Sequence, residues 1–231
     1  MRAARVQLKG KCNFCGKSFS GSAMGRHIGV CKESRKRSEL ETPPSVGKEE
    51  LLDIAVKGNN GFFTYWLYVE ANSDMTLKDL DHLLRKIWVE CCGHLSQFVI
   101  NGVNYISNPH PSMGDKSMKV KLGDVLKERE VFTYDYDFGT TTTLTLRVIS
   151  TRATPAQQGK NQITIQARND PPEISCNRCN RKKATQVCSQ CIWDGKEAWL
   201  CDGCASKHKC GEDMMLPVVN SPRVGVCGYT G

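Results

Sequence analysis

Twelve cysteine and histidine side chains in this sequence stand at spacings that suit a bound metal ion. Near the start, "CNFCGKSFSGSAMGRHIGVC" reads Cys12-x2-Cys15-x11-His27-x3-Cys31. Farther on the pattern is Cys176-x2-Cys179-x8-Cys188-x2-Cys191-x9-Cys201-x2-Cys204-x3-His208-x1-Cys210. Thiolate sulfur and imidazole nitrogen are the ligands of tetrahedral zinc, four to an ion. The first set fills one ion and the second fills two, which predicts three zinc ions. Each ion is surrounded by protein ligands, leaving no position for water. Closed sites of this kind hold shape, whereas catalytic zinc keeps an open position. A reducing compartment disfavours disulfides, and the odd total of 13 cysteines fits a fully disulfide-bonded framework poorly.

These ligands need turns and short helices to converge. Cys12 and Cys15 supply half a tetrahedron from a knuckle turn. His27 and Cys31, at i and i+4, share one side of a helix. Phe19 and Met24 fall where a ββα finger places its two core residues. The stretch resembles a C2H2-type finger in its C2HC form, one residue shorter than usual between the inner ligands. That resemblance implies DNA reading by the helix, yet "SGSAMGRHIGVCKESRKRS" is glycine-rich and offers only Arg26 for a base edge. Lys32, Arg35, Lys36 and Arg37 follow as a basic run suited to phosphates.

The later set admits two pairings. A sequential one joins Cys176, Cys179, Cys188 and Cys191. A cross-braced one joins Cys176 and Cys179 to Cys201 and Cys204, and Cys188 and Cys191 to His208 and Cys210. The cross-brace is the expected arrangement, because it locks the whole segment and leaves Trp193 and Trp199 to pack between the sites. Order and spacing resemble B-box and MYND-type modules, which implies protein contacts. The single residue before Cys210 is tighter than those families show. Arg181, Lys182 and Lys183, on the first loop between ligand pairs, add a second phosphate-binding candidate.

Between the metal-binding ends lies a segment with globular patterning. "FFTYWLYVEA" alternates as a strand. "TLKDLDHLLRKIWVE" is an amphipathic helix, with Thr76 and Asp79 as a capping box and Leu77, Leu80, Leu83, Leu84, Ile87 and Trp88 on one face. "SQFVINGVNYIS" reads as a hairpin turning at Asn101-Gly102. "VKLGDVLKERE" reads as a short strand with a helical turn, and "VFTYDYDFGTTTTLTLRVIS" as two strands broken at Asp137-Phe138-Gly139. The expected fold class is α+β, a central sheet-plus-helix domain flanked by two small zinc-stabilised modules.

Residues 60–150 resemble the plasmid ORF-3-like family, whose members are also labelled transposon-passenger resolvase-like proteins. The resemblance rests on the leucine helix, on His94, Leu95 and Phe98 as H-L-x-x-F, and on Tyr136 to Gly139 as Y-D-F-G. Many members continue the last motif as D-x-W, where this chain has Thr140 and Thr142. The family carries no agreed biochemical activity, and no recombinase constellation is visible here. His82 lies opposite the leucine face and reads as solvated. Cys91 and Cys92 read as buried small residues, Asp137 as a turn residue, and His94 as a hydrogen-bonded loop histidine that is also the best functional candidate of a domain expected not to be an enzyme. Cys227 stands at no metal-ligand spacing.

The expected organisation is a finger over 1–38, a polar linker over 39–50, the α+β domain over 51–152, a linker with a short strand over 153–173, the double-zinc module over 174–212 and a tail over 213–231. The net charge of +8 is divided unevenly. Residues 1–38 hold ten Lys/Arg against one acid, residues 51–149 ten against twelve, and residues 150–210 ten against five. Basic ends on a mildly acidic middle suit a polyanion. No apolar run reaches the roughly 18 residues of a membrane span, and the basic stretch "MRAARVQLKGKC" lacks the apolar run expected of a secretory signal. The expectation is a cytoplasmic, non-enzymatic zinc protein that contacts nucleic acid, RNA or a ribonucleoprotein such as the ribosome before specific DNA. The rivals are a protein-interaction adaptor and an enzyme of the middle domain.

Overall fold

The leucine helix of the central domain, Leu77–Leu84, starts on a complete capping box. The Thr76 hydroxyl accepts from the Asp79 amide, and the Asp79 carboxylate accepts from the Thr76 amide at 2.8 Å. This satisfies two backbone donors that a helix start otherwise leaves open. The helix continues as one π-helical turn, Arg85–Val89. Leu77, Leu80, Leu84 and Trp88 are fully buried, and His82 is exposed. The apolar stripe needs a sheet to cover, and the rest of the fold supplies it.

The computed structural model describes residues 6–31, 48–110, 112, 114–155 and 162–231. Among these, eleven strands form one sheet. They are β1 (Val6–Gln7), β2 (Lys9–Cys12), β3 (Ser18–Ser20), β4 (Lys48–Asn59), β5 (Phe63–Asn72), β6 (Ser96–Ile100), β7 (Val103–Ile106), β8 (Lys116–Ser117), β9 (Val131–Tyr136), β10 (Thr142–Pro155) and β11 (Thr164–Asn169). The order is β3-β2-β11-β5-β4-β10-β9-β6-β7-β8, with β1 beside β5. The β6–β7 hairpin turns at Asn101 and Gly102, whose φ of 50° and 75° are the left-handed values such a turn requires.

The two faces of β5 explain its aromatic run. Tyr65, Leu67 and Val69 enter the main core with the leucine helix. Trp66 and Tyr68 point the other way, into a second core with Met24, Ile28, Cys12 and Cys31. The strand is therefore buried on both sides, and the N-terminal Cys/His segment forms the second lid.

The expected α+β class, with Cys/His clusters at both ends of a central sheet, is what the structure shows. Its junctions are tighter than expected. The segment read as a linker with a short strand contributes β11, an internal strand between β2 and β5. Its pairing partners lie far off in sequence, which hid them from local patterning. A second sheet, β12 (Gln186–Cys188), β13 (Trp199–Leu200) and β14 (Met215–Pro217), builds the C-terminal end. Val187, Cys188, Trp199 and Val224 belong to the main core, so this end is continuous with the central domain. Trp199 is buried, but Trp193, expected to pack between the sites, is 65% exposed. It closes a short helix, Ser189–Trp193, whose inner face is used by Cys191. No helix among the described residues is long and apolar enough to cross a membrane.

Candidate metal centres

Cys12 leaves the end of β2, and a turn brings back Cys15. The helix α1, Gly21–Ile28, follows β3 and presents His27, with Cys31 just beyond it. The four ligand atoms converge to within 4.8 Å. The Cys12 and Cys31 sulfurs lie 4.0 Å apart, and Cys15 Sγ lies 3.2 Å from His27 Nε2. A tetrahedron with sulfur at about 2.3 Å and nitrogen at about 2.0 Å from zinc has edges of about 3.5–3.8 Å. The donor set and its spacing therefore fit one ion. Phe19 stacks on His27 at 4.4 Å between ring centres and fixes the imidazole plane.

The glycine-rich character of α1 has a packing cause. A Cβ on Gly21 would stand 2.8 Å from Trp66 Cδ1, and one on Gly25 would stand 2.9 Å from Tyr68 Oη. Tyr68 donates its hydroxyl hydrogen to the Gly21 carbonyl at 2.7 Å. The glycine face lies flat on the central sheet and is closed to a DNA groove. Arg26 remains exposed on the outer side. Lys32, Arg35, Lys36 and Arg37 lie outside the described residues.

At the other end the ligands sort in alternation. Cys176, Cys179, Cys201 and Cys204 form one group; Cys188, Cys191, His208 and Cys210 form another. The Cys179 and Cys201 sulfurs are 3.9 Å apart. Cys191 Sγ lies 3.7 Å from Cys210 Sγ and 3.3 Å from His208 Nε2. These are again tetrahedral edges. The alternation follows from the sheet: β12 carries Cys188 and pairs with β13, which delivers Cys201 into the neighbouring group.

The amides around the knuckles favour bound thiolates. The backbone N–H groups of Arg181 and Lys182 hold the Cys179 thiol below its ordinary value. Burial pushes Cys176 up, but the amides of Cys179, Cys201 and Arg178 outweigh it and hold it at about 6. Cys191 and Cys204 are pushed up to about 12 by burial and by neighbouring thiols. A divalent cation supplies the positive charge that the converging sulfurs lack and reverses that sign.

Arg181, Lys182 and Lys183 are exposed beside the Cys176 group. Arg178, Lys196, Lys207 and Lys209 line a cleft of about 500 Å³ against the Cys191–His208–Cys210 edge, with Glu197 its one acid.

A fourth group stands outside both ends: Cys91, Cys92, His94 and Cys227. Sequence patterning gave Cys227 no partner, because the other three ligands lie more than 130 positions away (His94 is 133 away). The reading of Cys91 and Cys92 as buried residues also fails, since Cys92 is exposed and Cys91 only partly covered. The available signal was C-C-x-H itself, three potential ligands in four positions.

The family motif residues surround this group. The Tyr136 hydroxyl accepts from the amides of Cys91 and His94, at 3.3 Å each, and donates to Glu90 at 2.8 Å. The Asp137 carboxylate accepts from the amides of Gly139 and Thr140 and from Arg223. Burial pushes its pKa up, but Arg223 and those amides outweigh it and hold it at about 2.

Residues 52–178 match the sequence model of the family described as "Plasmid pRiA4b ORF-3-like protein", a longer span than the motifs alone indicated. No curated protein matches the chain. Among solved structures, a "Protein of Unknown Function MM3350 from Methanosarcina mazei Go1" is similar at 18% identity and a TM-score of 0.44. The match covers 52% of this chain and 69% of that one.

Proposed function

Because the chain belongs to the plasmid pRiA4b ORF-3-like family and carries that domain between metal-binding ends, we propose that it is a non-enzymatic zinc protein that contacts RNA or a ribonucleoprotein such as the ribosome. The observation that carries this reading is the basic surface of the C-terminal module. Arg181, Lys182 and Lys183 are exposed on one loop, and four further cations line a cleft of the same module. Zinc fixes these side chains on a rigid frame, so their charges meet a phosphate chain without a large ordering cost. The closed glycine face of α1 favours backbone contact over base reading in the major groove. In the middle domain His94 is gathered among three cysteines rather than left free for proton transfer, which supports a non-enzymatic role.

The test is binding of the zinc-loaded chain to structured RNA and to duplex DNA across a salt series. The expected affinity falls linearly in log–log form as salt rises, because bound phosphates release counterions. Absence of binding at low salt, or an affinity indifferent to salt, overturns the reading. A protein-interaction adaptor is the second reading, favoured by Trp193, which stands exposed on the double-metal module. A protein partner that stays bound after nuclease treatment and is lost in Trp193→Ala would replace the first reading.

A further inference from the structure

We propose that Cys91, Cys92, His94 and Cys227 bind a fourth zinc ion, which staples the C-terminal tail to the loop after the leucine helix. One ligand atom from each residue lies within 4.8 Å of all the others. Cys227 Sγ stands 3.4 Å from His94 Nε2, a tetrahedral edge like those of the other centres. Three thiolates and an imidazole select a soft or borderline ion, and zinc is the tetrahedral one that needs no redox partner.

The backbone on both sides is shaped for convergence. Gly93 has φ +70° and Cys227 has φ +50°. A cysteine gains nothing from the left-handed region by itself, so its adoption points to a constraint on where the side chain must go. The loop over 90–94 is held from beneath. Arg85 donates to the His94 carbonyl at 2.8 Å and to Glu90 at 2.6 Å, and the Gly93 amide donates to Glu90 at 2.6 Å. The tail is held by Ser221, which donates to the Trp88 carbonyl at 2.5 Å, and by the buried Arg223.

Arg223 also reaches a ligand sulfur. Three thiolates around a divalent ion leave one net negative charge. The Arg223 guanidinium donates to Cys91 Sγ at 3.4 Å while its other bonds fix it to Asp137 and Thr142. A cation hydrogen-bonded to a ligand sulfur is the kind of outer partner that orients and stabilises a metal site. Four protein ligands fill the tetrahedron, so the ion is structural.

The experiment is metal analysis of the full chain, purified under reductant and loaded with zinc, beside Cys227→Ser and Cys227→His. Cys227→Ser is expected to hold one zinc ion fewer than the parent, and Cys227→His to hold the parent's number. Equal zinc in the parent and Cys227→Ser overturns the proposal. If Cys227→Ser unfolds and loses several ions, alkylation of the zinc-loaded parent decides. Cys92 and Cys227 are both exposed. As ligands they resist the reagent until a chelator is added, and prompt modification of both without chelator overturns the proposal.

Discussion

The Arg223 guanidinium, with none of its side chain exposed, lies 2.6 Å from Asp137 Oδ2 and stacks over the Tyr136 ring at 4.9 Å. This ion pair links the far end of the chain to the family's Y-D-F-G motif. Arg223 also donates to the Thr140 carbonyl and to the Thr142 hydroxyl. Both threonines lie just after that stretch in the sequence.

Removal of one member of a buried, hydrogen-bonded pair strands the other charge, at a cost of about 3–5 kcal/mol. Arg223→Met is therefore expected to lower the unfolding free energy by about that amount. Arg223→Lys is expected to recover only a small part, since a single ammonium cannot span these acceptors. Urea unfolding midpoints at constant slope check both.

Two glycines make an opposed pair. A Cβ on Gly10 would stand 2.1 Å from the Arg168 carbonyl oxygen, within the β2–β11 pairing, where backbone cannot yield cheaply. Gly10→Ala is expected to destabilise by about 1–3 kcal/mol. Gly203 has nothing within 4 Å of its Cβ position and sits in the short helix Asp202–Ala205. Gly203→Ala is expected to be neutral or stabilising by up to about 1 kcal/mol. Thermal melts of the two variants should move in opposite directions or differ by several degrees.

Removal of the C-terminal metals should reach the central domain. Val187, Cys188, Cys191 and Trp199 lie in the same core as the leucine helix. Stripping zinc with a chelator is expected to red-shift tryptophan emission and flatten the near-ultraviolet dichroism, with recovery on adding zinc back. Unchanged aromatic signals after complete metal loss would contradict the shared core.

Charge reversal at Arg181, Lys182 and Lys183 tests the proposed interface. Without these three cations to neutralise phosphates, binding to every RNA sequence should weaken alike and the salt slope should fall by about 2–3. Fluorescence anisotropy at several salt concentrations measures both. A slope equal to the parent's would remove this loop from the interface.

What was legible in the sequence was local. The Thr76–Asp79 cap, the Asn101-Gly102 turn and the leucine stripe each span fewer than fifteen positions, and all stand where their chemistry puts them. The twelve clustered Cys/His residues at the two ends were legible because four CxxC pairs and two closely spaced His/Cys pairs are each local geometric units. Cys227 was not, since its partners are brought to it by Arg223 and Ser221 rather than by spacing. The strand character of 164–169 was visible, but its place between β2 and β5 depends on residues at the opposite end of the chain. The glycines of α1 read as weak helix formers until Trp66 and Tyr68 lay beneath them.

The seam between β2 and β11 has a temporal consequence. Asn13 donates to the carbonyl of Ile165, 152 positions later. A ribosome releases the N-terminal ligands long before the strand that receives them. The first metal centre can thus close early, on a segment still lacking its neighbour, while Trp66 and Tyr68 wait for the returning chain. Contacts of such separation fold slowly. Supplying zinc during synthesis, rather than afterwards, should therefore raise the yield of correctly assembled protein.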